Sequence, residues 1–357
     1  MGWHRVVIRL LLSVAIVWTA DWTAAAEDRS IVAPQALERA GYSAYWSATL
    51  PVAGGDRCAG AFLLDENLYV TTGRGQVYAI QADTGLLRWI QELGAYSSPK
   101  QAPTHVQNAD GDGPVVFVTR SHVDVFDRYG GDLVRRIELP FTAAGGAVAD
   151  QSIMYLGGSD GLLYALRWRC VNCSRPLVAW RSMLRGIASS TPVLTPDGRL
   201  YVAGDEGLVY CIEPPGRSLL WSYRTGGAMV GGLGVDESGV YAASANRRLC
   251  ILNPDDGAVV KSFRMPGPLL DGPIAAQRTV YQYCLDEGLL AFDSDTHQQL
   301  WQKRGVRAFV ARRAEWLVLR TESGDLLIVD NQTGADRGAI DLPEGVLLAT
   351  NTRDASL

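Results

Sequence analysis

A unit of about 41 residues recurs along this chain, and that period constrains the fold more than any single motif does. It is clearest in RLYVAGDEGLVYCIEPPGRSLLWSYRT, which starts at Arg199. It returns as NLYVTTGRGQVYAIQADTGLLRWIQEL from Asn67, IMYLGGSDGLLYALRW from Ile153, and GVYAASANRRLCILNPDDGAVVKSF from Gly239. Two more copies are TVYQYCLDEGLLAFDSDTHQQLWQK from Thr279 and WLVLRTESGDLLIVDNQTG from Trp316, and a weaker seventh, PVVFVTRSHVDVFDRYGGDLVRRI, starts at Pro114. Inside a unit, runs of about six β-branched, aromatic and aliphatic residues are broken by Asp, Glu or Gly, as tight hairpins require. A lone four-stranded sheet with two apolar faces cannot bury either, whereas stacked neighbours cover both. The reading is therefore all-β, a seven-bladed β-propeller of four-stranded antiparallel blades, or an eight-bladed one if the chain ends build a partial sheet. The end segments SAYWSATLP and GVLLATN are expected to pair with each other as a latch.

With 38 Gly, 16 Pro and 47% hydrophobic residues, the composition excludes disorder, collagen and coiled coil. Thirty-three basic against 38 acidic residues give a net charge of −5, so no excess positive field attracts nucleic acid or anionic lipid. The chain opens on Arg5 and Arg9, an apolar run from Leu10 to Ala20, and small residues Ala24 to Ala26. This pattern predicts a cleavable secretory signal over residues 1–26, too short for a stable membrane span; the competing reading is an uncleaved anchor. A linker over 27–42, a propeller over 43–350 and a tail over 351–357 follow. The first cysteine, Cys58, lies too far from the apolar run to carry a lipid at the cleavage site. The expected product is exported, periplasmic or secreted, with no transmembrane segment after cleavage.

The succession of Tyr-Val, an Asp-Gly type turn, Leu-Tyr-Ala-Leu, Thr-Gly and a Trp-centred strand resembles the pyrroloquinoline-quinone-type propeller repeat. Among proteins built from it, the chain is similar to the outer-membrane assembly factor B type of exported scaffold. That resemblance implies a non-catalytic periplasmic propeller that binds protein partners in envelope or outer-membrane protein assembly, with no cofactor. The same repeat occurs in quinone-dependent dehydrogenases, which implies the alternative: pyrroloquinoline quinone over the central channel with a calcium ion and an Asp base. Their adjacent Cys-Cys pair is missing here, and the channel strands supply Ser97, Ser98, Ser189 and Ser190. A carbohydrate-binding propeller would need aromatic platforms beyond the repeat, and only Tyr96 and Tyr129 depart from it.

Trp89, Trp180, Trp221 and Trp301 recur once per unit on the outer strand, where they are expected to pack between sheets; Arg135 and Lys261 replace them in two units, whose packing should be looser. Cys211 and Cys250 sit where other copies carry Ala and read as core fillers, as do the isolated Cys58 and Cys284. Cys170 and Cys173 lie in the insertion RWRCVNCSRP, where a local disulfide competes with a metal half-site. Asn108, Asp110 and Asp112 alternate in NADGDG, as an oxygen-liganded cation such as calcium requires, but an inter-strand turn explains the same residues. Asp83, Asp127, Asp255, Asp256, Asp293, Asp295 and Asp330 recur with the turns and are expected to cap them. His105, His122 and His297 are scattered, so no metal or catalytic triad is visible. The units are irregular at Arg120 and His122, at Asn246, Arg247 and Arg248, and at the insertion with Arg175; these loops are the candidate partner-binding residues.

Overall fold

The computed structural model describes residues 4–11, 14–20, 32–94, 101–108, 110–169, 177–214, 216–313 and 315–351, the first two stretches by backbone alone. The fold is an all-β propeller. Seven four-stranded antiparallel sheets correspond one to one with the sequence repeats, and an eighth is assembled from the chain ends. The blades span residues 58–92, 104–138, 143–183, 193–224, 234–264, 274–303 and 306–340, and are called blades 1 to 7. Within each, the strands follow one another in sequence order, so every connection inside a blade is a hairpin. One short helix, Pro34–Arg39, lies in the segment expected as a linker and buries Leu37 against blade 7.

Two compact units divide the chain: residues 1–98, 129–131 and 300–357 form one, and residues 99–128 and 132–299 the other. In the second, consecutive blades share apolar clusters. Tyr155, Leu163, Ala165 and Trp180 of blade 3 pack on Leu200, Val202, Tyr210 and Ile212 of blade 4. In the first, Leu50, Val52 and Ala349 of the eighth sheet pack on Leu68, Val70, Tyr78 and Ile80 of blade 1. Burying one such side chain fully contributes roughly 1.5–3 kcal/mol, so the sheets hold each other through their faces.

The repeating tryptophans have a specific partner. Trp46, Trp89, Trp221 and Trp301 each cover a positive-φ glycine in the turn of the next repeat, respectively Gly85, Gly131, Gly257 and Gly334. The indole Nε1 of Trp46, Trp221 and Trp301 donates to a carbonyl of that same turn, at Ala82 (2.7 Å), Pro254 (2.9 Å) and Asn331 (2.7 Å). Where Lys261 replaces tryptophan, the facing left-handed position is His297 (φ 53°), because no ring lies there to exclude a side chain. Trp180 departs from this rule, since its counterpart position is Arg217 (φ 54°). On the other side the ring meets the central strand of its own blade: Tyr69–Trp89, Tyr155–Trp180 and Tyr201–Trp221 all have centroids 5.9 Å apart.

In blades 2 and 5, where tryptophan is replaced, other contacts are made, and in blade 5 the outer strand Val259–Arg264 stays exposed apart from Phe263. The Arg135 guanidinium donates to the carbonyl of Trp168, whose ring is buried in the cluster between blades 2 and 3. In blade 5, Phe263 packs on Phe292 at 4.7 Å with the Lys261 ammonium above it.

The chain ends differ from expectation. Ala44–Val52 and Leu347–Ala349 share the eighth sheet, but they do not pair. Between them lie His4–Leu11, registered on Ala44–Val52, and Val14–Ala20, registered on Leu347–Ala349. The segment with the composition of a secretory leader thus occupies the two central positions of this sheet.

Candidate functional site

A residue that departs from the repeat serves either local packing or something outside the blade, and the geometry separates the two. The turn capping is local. Asp256 Oδ1 accepts from the Ala258 amide (2.8 Å), and Asp293 Oδ1 accepts from those of Asp295 (3.1 Å) and Thr296 (2.7 Å). Asp255 and Asp295 instead pair with Arg199 and Arg278. Asp330 accepts from the Thr333 amide (3.0 Å), the Arg337 guanidinium (3.0 Å), the Thr333 hydroxyl (2.9 Å) and the Gln332 amide (3.1 Å), and these donors hold its carboxyl down at about 2. A depressed carboxyl contributes stability above its ordinary value of about 3.9 and loses it as the pH falls toward the folded value. Asp330→Asn is expected to flatten the acid-unfolding profile between about pH 4 and 2; an unchanged profile contradicts the assignment.

The loop of Asn108, Asp110 and Asp112 does not form a three-oxygen cage. Asn108 Nδ2 donates to Asp112 Oδ1 (2.6 Å), Asp110 is exposed, and the buried Arg128 guanidinium donates to the Gly111 carbonyl (2.6 Å). A cation already stands against the loop. Among the described residues no group of three or more His, Cys, Asp or Glu could hold a metal ion. Cys58, Cys211, Cys250 and Cys284 are free thiols; burial, with Asp56 close by, pushes the Cys58 thiol up to about 12. Cys170, Cys173 and Arg175 lie outside the described residues.

A quinone with its calcium would need carboxylate and amide oxygens converging on a flat space at the inner ends of the blades. In the second unit those loops meet through backbone instead. A Cβ on Gly145 would lie 2.6 Å from the Ser190 carbonyl, and one on Gly272 2.6 Å from that of Gly232. Gln101 and Gln282 donate from Nε2 to the Ser189 (3.2 Å) and Asp271 (3.0 Å) carbonyls, and Gln282 Oε1 is buried without a partner among the described residues.

Blade 2 holds a polar cluster that sequence reasoning missed. Asp124, fully buried in the central strand His122–Phe126, accepts two bonds from Arg136 (2.6 and 2.7 Å) and lies 3.4 Å from His122 Nε2. His122 Nδ1 faces the hydroxyls of Thr119 (3.0 Å) and Ser121 (3.3 Å). The arrangement has the members of a hydrolytic triad without its logic. Arg136 neutralises the carboxylate, and the hydroxyls of Thr119 and Ser121 share the imidazole Nδ1. His122, expected as a docking residue, is buried and belongs to this cluster, while Arg120 is exposed at the turn beside it. The available signal was an Asp at the position held by Tyr78, Tyr164 and Tyr210 in other blades.

The hairpin of blade 5 carries two local costs together. At this turn, blades 1, 3, 4 and 7 place Gly75, Gly161, Gly207 and Gly324 in the left-handed region, whereas blade 5 places Arg247 there (φ 69°) and blade 6 places Asp286 there (φ 66°). A non-glycine residue in that conformation costs about 1 kcal/mol. The adjacent Arg248 is the registered cross-strand partner of Arg264, and like charges directly opposite destabilise a sheet. All three arginines are exposed. Asn246 fixes the turn: its Nδ2 donates to the Thr225 carbonyl of blade 4 (3.0 Å) and its Oδ1 accepts from Ser244 (2.6 Å). The result is three exposed arginines at one end of blade 5.

Comparison with known proteins bears on what such a surface serves. The family model described as "Outer membrane protein assembly factor BamB" matches residues 15–121 and 226–346. Among solved structures, the chain is similar to BamB from Moraxella catarrhalis, at 16% identity and a TM-score of 0.60, covering 80% of this chain and 85% of that one. It is also similar to the computationally designed Ika8 protein, at 12% identity and a TM-score of 0.60, covering 82% of this chain and 96% of that one. Likeness at these identities shows the fold. No curated protein matches.

Proposed function

Because the chain belongs to the family of the outer membrane protein assembly factor BamB, we propose that it is a non-catalytic scaffold, exported to the periplasm, that docks protein partners in outer-membrane protein assembly. The docking element is the hairpin of blade 5, and the observation that carries this reading is the coincidence of two local costs in it. Left-handed arginines occur elsewhere in the chain, at Arg217 and Arg278, but among the described residues only here is one followed directly by a like-charge pair across the strands, and that combination favours a gain from a partner. Three exposed guanidinium groups on a rigid blade suit an acidic protein surface, which they steer by charge and hold through bidentate contacts. The regular positions of the repeat serve packing. Among the described residues no helix is long and apolar enough to cross a membrane, which accords with a peripheral role.

Stability and binding should move in opposite directions at this hairpin. Arg247→Gly is expected to stabilise the fold by about 1 kcal/mol while weakening partner capture from the envelope fraction. Arg248→Glu with Arg264→Glu should abolish capture at unchanged stability. If Arg247→Gly leaves capture intact, or all three substitutions do, this surface is not the docking site.

A further inference from the structure

The eighth sheet carries a consequence of export. Its strand order runs Ala44–Val52, His4–Leu11, Val14–Ala20, Leu347–Ala349. The outer and inner strands belong to the body of the chain, and both central strands belong to the segment read as a leader. In blades 1, 3 and 4 a central strand is the most buried of the four, as Asn67–Thr72, Ile153–Gly158 and Leu200–Gly204 illustrate. We infer that the exported chain, once it has lost residues 1–26, presents a slot two strands wide that a mostly apolar β-hairpin of a partner protein fills. The inference rests on the export reading above.

The slot specifies its occupant. Two missing strands call for a hairpin, because one added strand would satisfy one edge and leave a gap at the other. The outer edge is long: His4–Leu11 registers on Val52–Ala44 through eight residues, with a break in register near Leu11. The inner edge is short, with Ala15, Ile16 and Val17 registered on Ala349, Leu348 and Leu347. It is anchored from below, since the Asn351 amide donates to the Val310 carbonyl of blade 7 (2.8 Å). Both faces of the slot are apolar. Ala61, Val70, Tyr78 and Ile80 of blade 1 form one wall, packed with Leu50, Val52 and Ala349 of the two edge strands, and Leu348 packs toward Val310, Ala311 and Val346 on the other side. A strand buried on both faces is apolar almost continuously rather than alternating. VAIVWTA has that composition, and HRVVIRLL has it apart from His4, Arg5 and Arg9, so the segment seated here defines the chemistry of the partner: a hairpin of seven- and eight-residue strands, one apolar throughout and one apolar but for basic residues. Main-chain bonds at an open sheet edge supply affinity, and the two apolar walls supply selection.

The test begins with the protein recovered after export from a secreting host, whose intact mass should place its first residue near Glu27. A chain found only inside the cell removes the export reading, whereas a chain that is exported yet keeps residues 4–20 overturns this inference alone. The probe is a synthetic peptide of residues 4–20. Saturable binding with a rise in Tm of several degrees is expected, and proline at both Ile8 and Ile16 of the peptide should weaken binding at least ~10-fold by removing two ladder donors. Register gives a second readout that does not depend on stability. A peptide carrying Arg9→Cys should form a disulfide with Ser47→Cys, its registered partner, in preference to Thr49→Cys. No binding, equal binding by the proline peptide, or equal cross-linking at both positions overturns the inference. Direct pairing of Ala44–Val52 with Leu347–Ala349 in the exported chain would do so too.

Discussion

Replacing Gly257 by alanine is expected to destabilise the protein by about 3 kcal/mol, a large loss for one methyl group. The alanine Cβ would lie 2.5 Å from the Trp221 ring, and the backbone there holds φ 70°. The first effect forces Trp221 off its turn and breaks its 2.9 Å bond to the Pro254 carbonyl; the second strains any non-glycine residue by about 1 kcal/mol. The two effects separate in a double-mutant cycle. Trp221→Ala alone should cost about 3–5 kcal/mol, and in that background Gly257→Ala should cost only the backbone share of about 1 kcal/mol. His297 provides the control, since it holds the same turn position opposite Lys261, and His297→Gly should be neutral or slightly stabilising. Additive losses at Gly257 and Trp221 in urea titrations would show that the ring and the turn do not depend on each other.

The second large effect belongs to blade 2. Arg136→Ala is expected to cost about 3 kcal/mol, because it leaves the Asp124 carboxylate fully buried without its two shortest donors. Asp124→Ala should cost less, about 2 kcal/mol, since the Arg136 side chain is 39% exposed and can return to water. The order of the two losses is the informative part, for a surface ion pair would give two small and similar values. If both substitutions change stability by under about 0.5 kcal/mol, the cluster is not a structural tie. If they leave stability intact but abolish an activity, the cluster is a catalytic site instead.

The period, the blade boundaries and the strand types were legible because hydrophobic runs and turn residues recur in phase, and each copy checks the others. The role of Trp221 was legible as packing, but its partner was not. Gly257 reads as an ordinary turn glycine until the next blade is placed against it. The polar cluster of blade 2 left a signal, one Asp in a strand where other copies carry Tyr, which composition arguments absorb into turn chemistry. Residues 4–20 show the limit most clearly. A short apolar run of this kind reads equally as a leader and as a strand pair buried on both faces, and no local pattern distinguishes them. The blade 5 hairpin was legible as an exception, because Asn246 to Arg248 replace the common turn. Its strain and its pairing with Arg264 emerged only from backbone geometry and register.

The central claim, that the repeat builds the blades while its basic exception docks a partner, is tested most directly by photo-cross-linking in the envelope. A cross-linker placed at Arg248 should trap a protein of the outer-membrane assembly machinery, and the adduct should vanish with Arg264→Glu. The same group at Glu237, in the turn at the other end of blade 5, should trap nothing. Equal adducts at both positions, or none at Arg248, would contradict it.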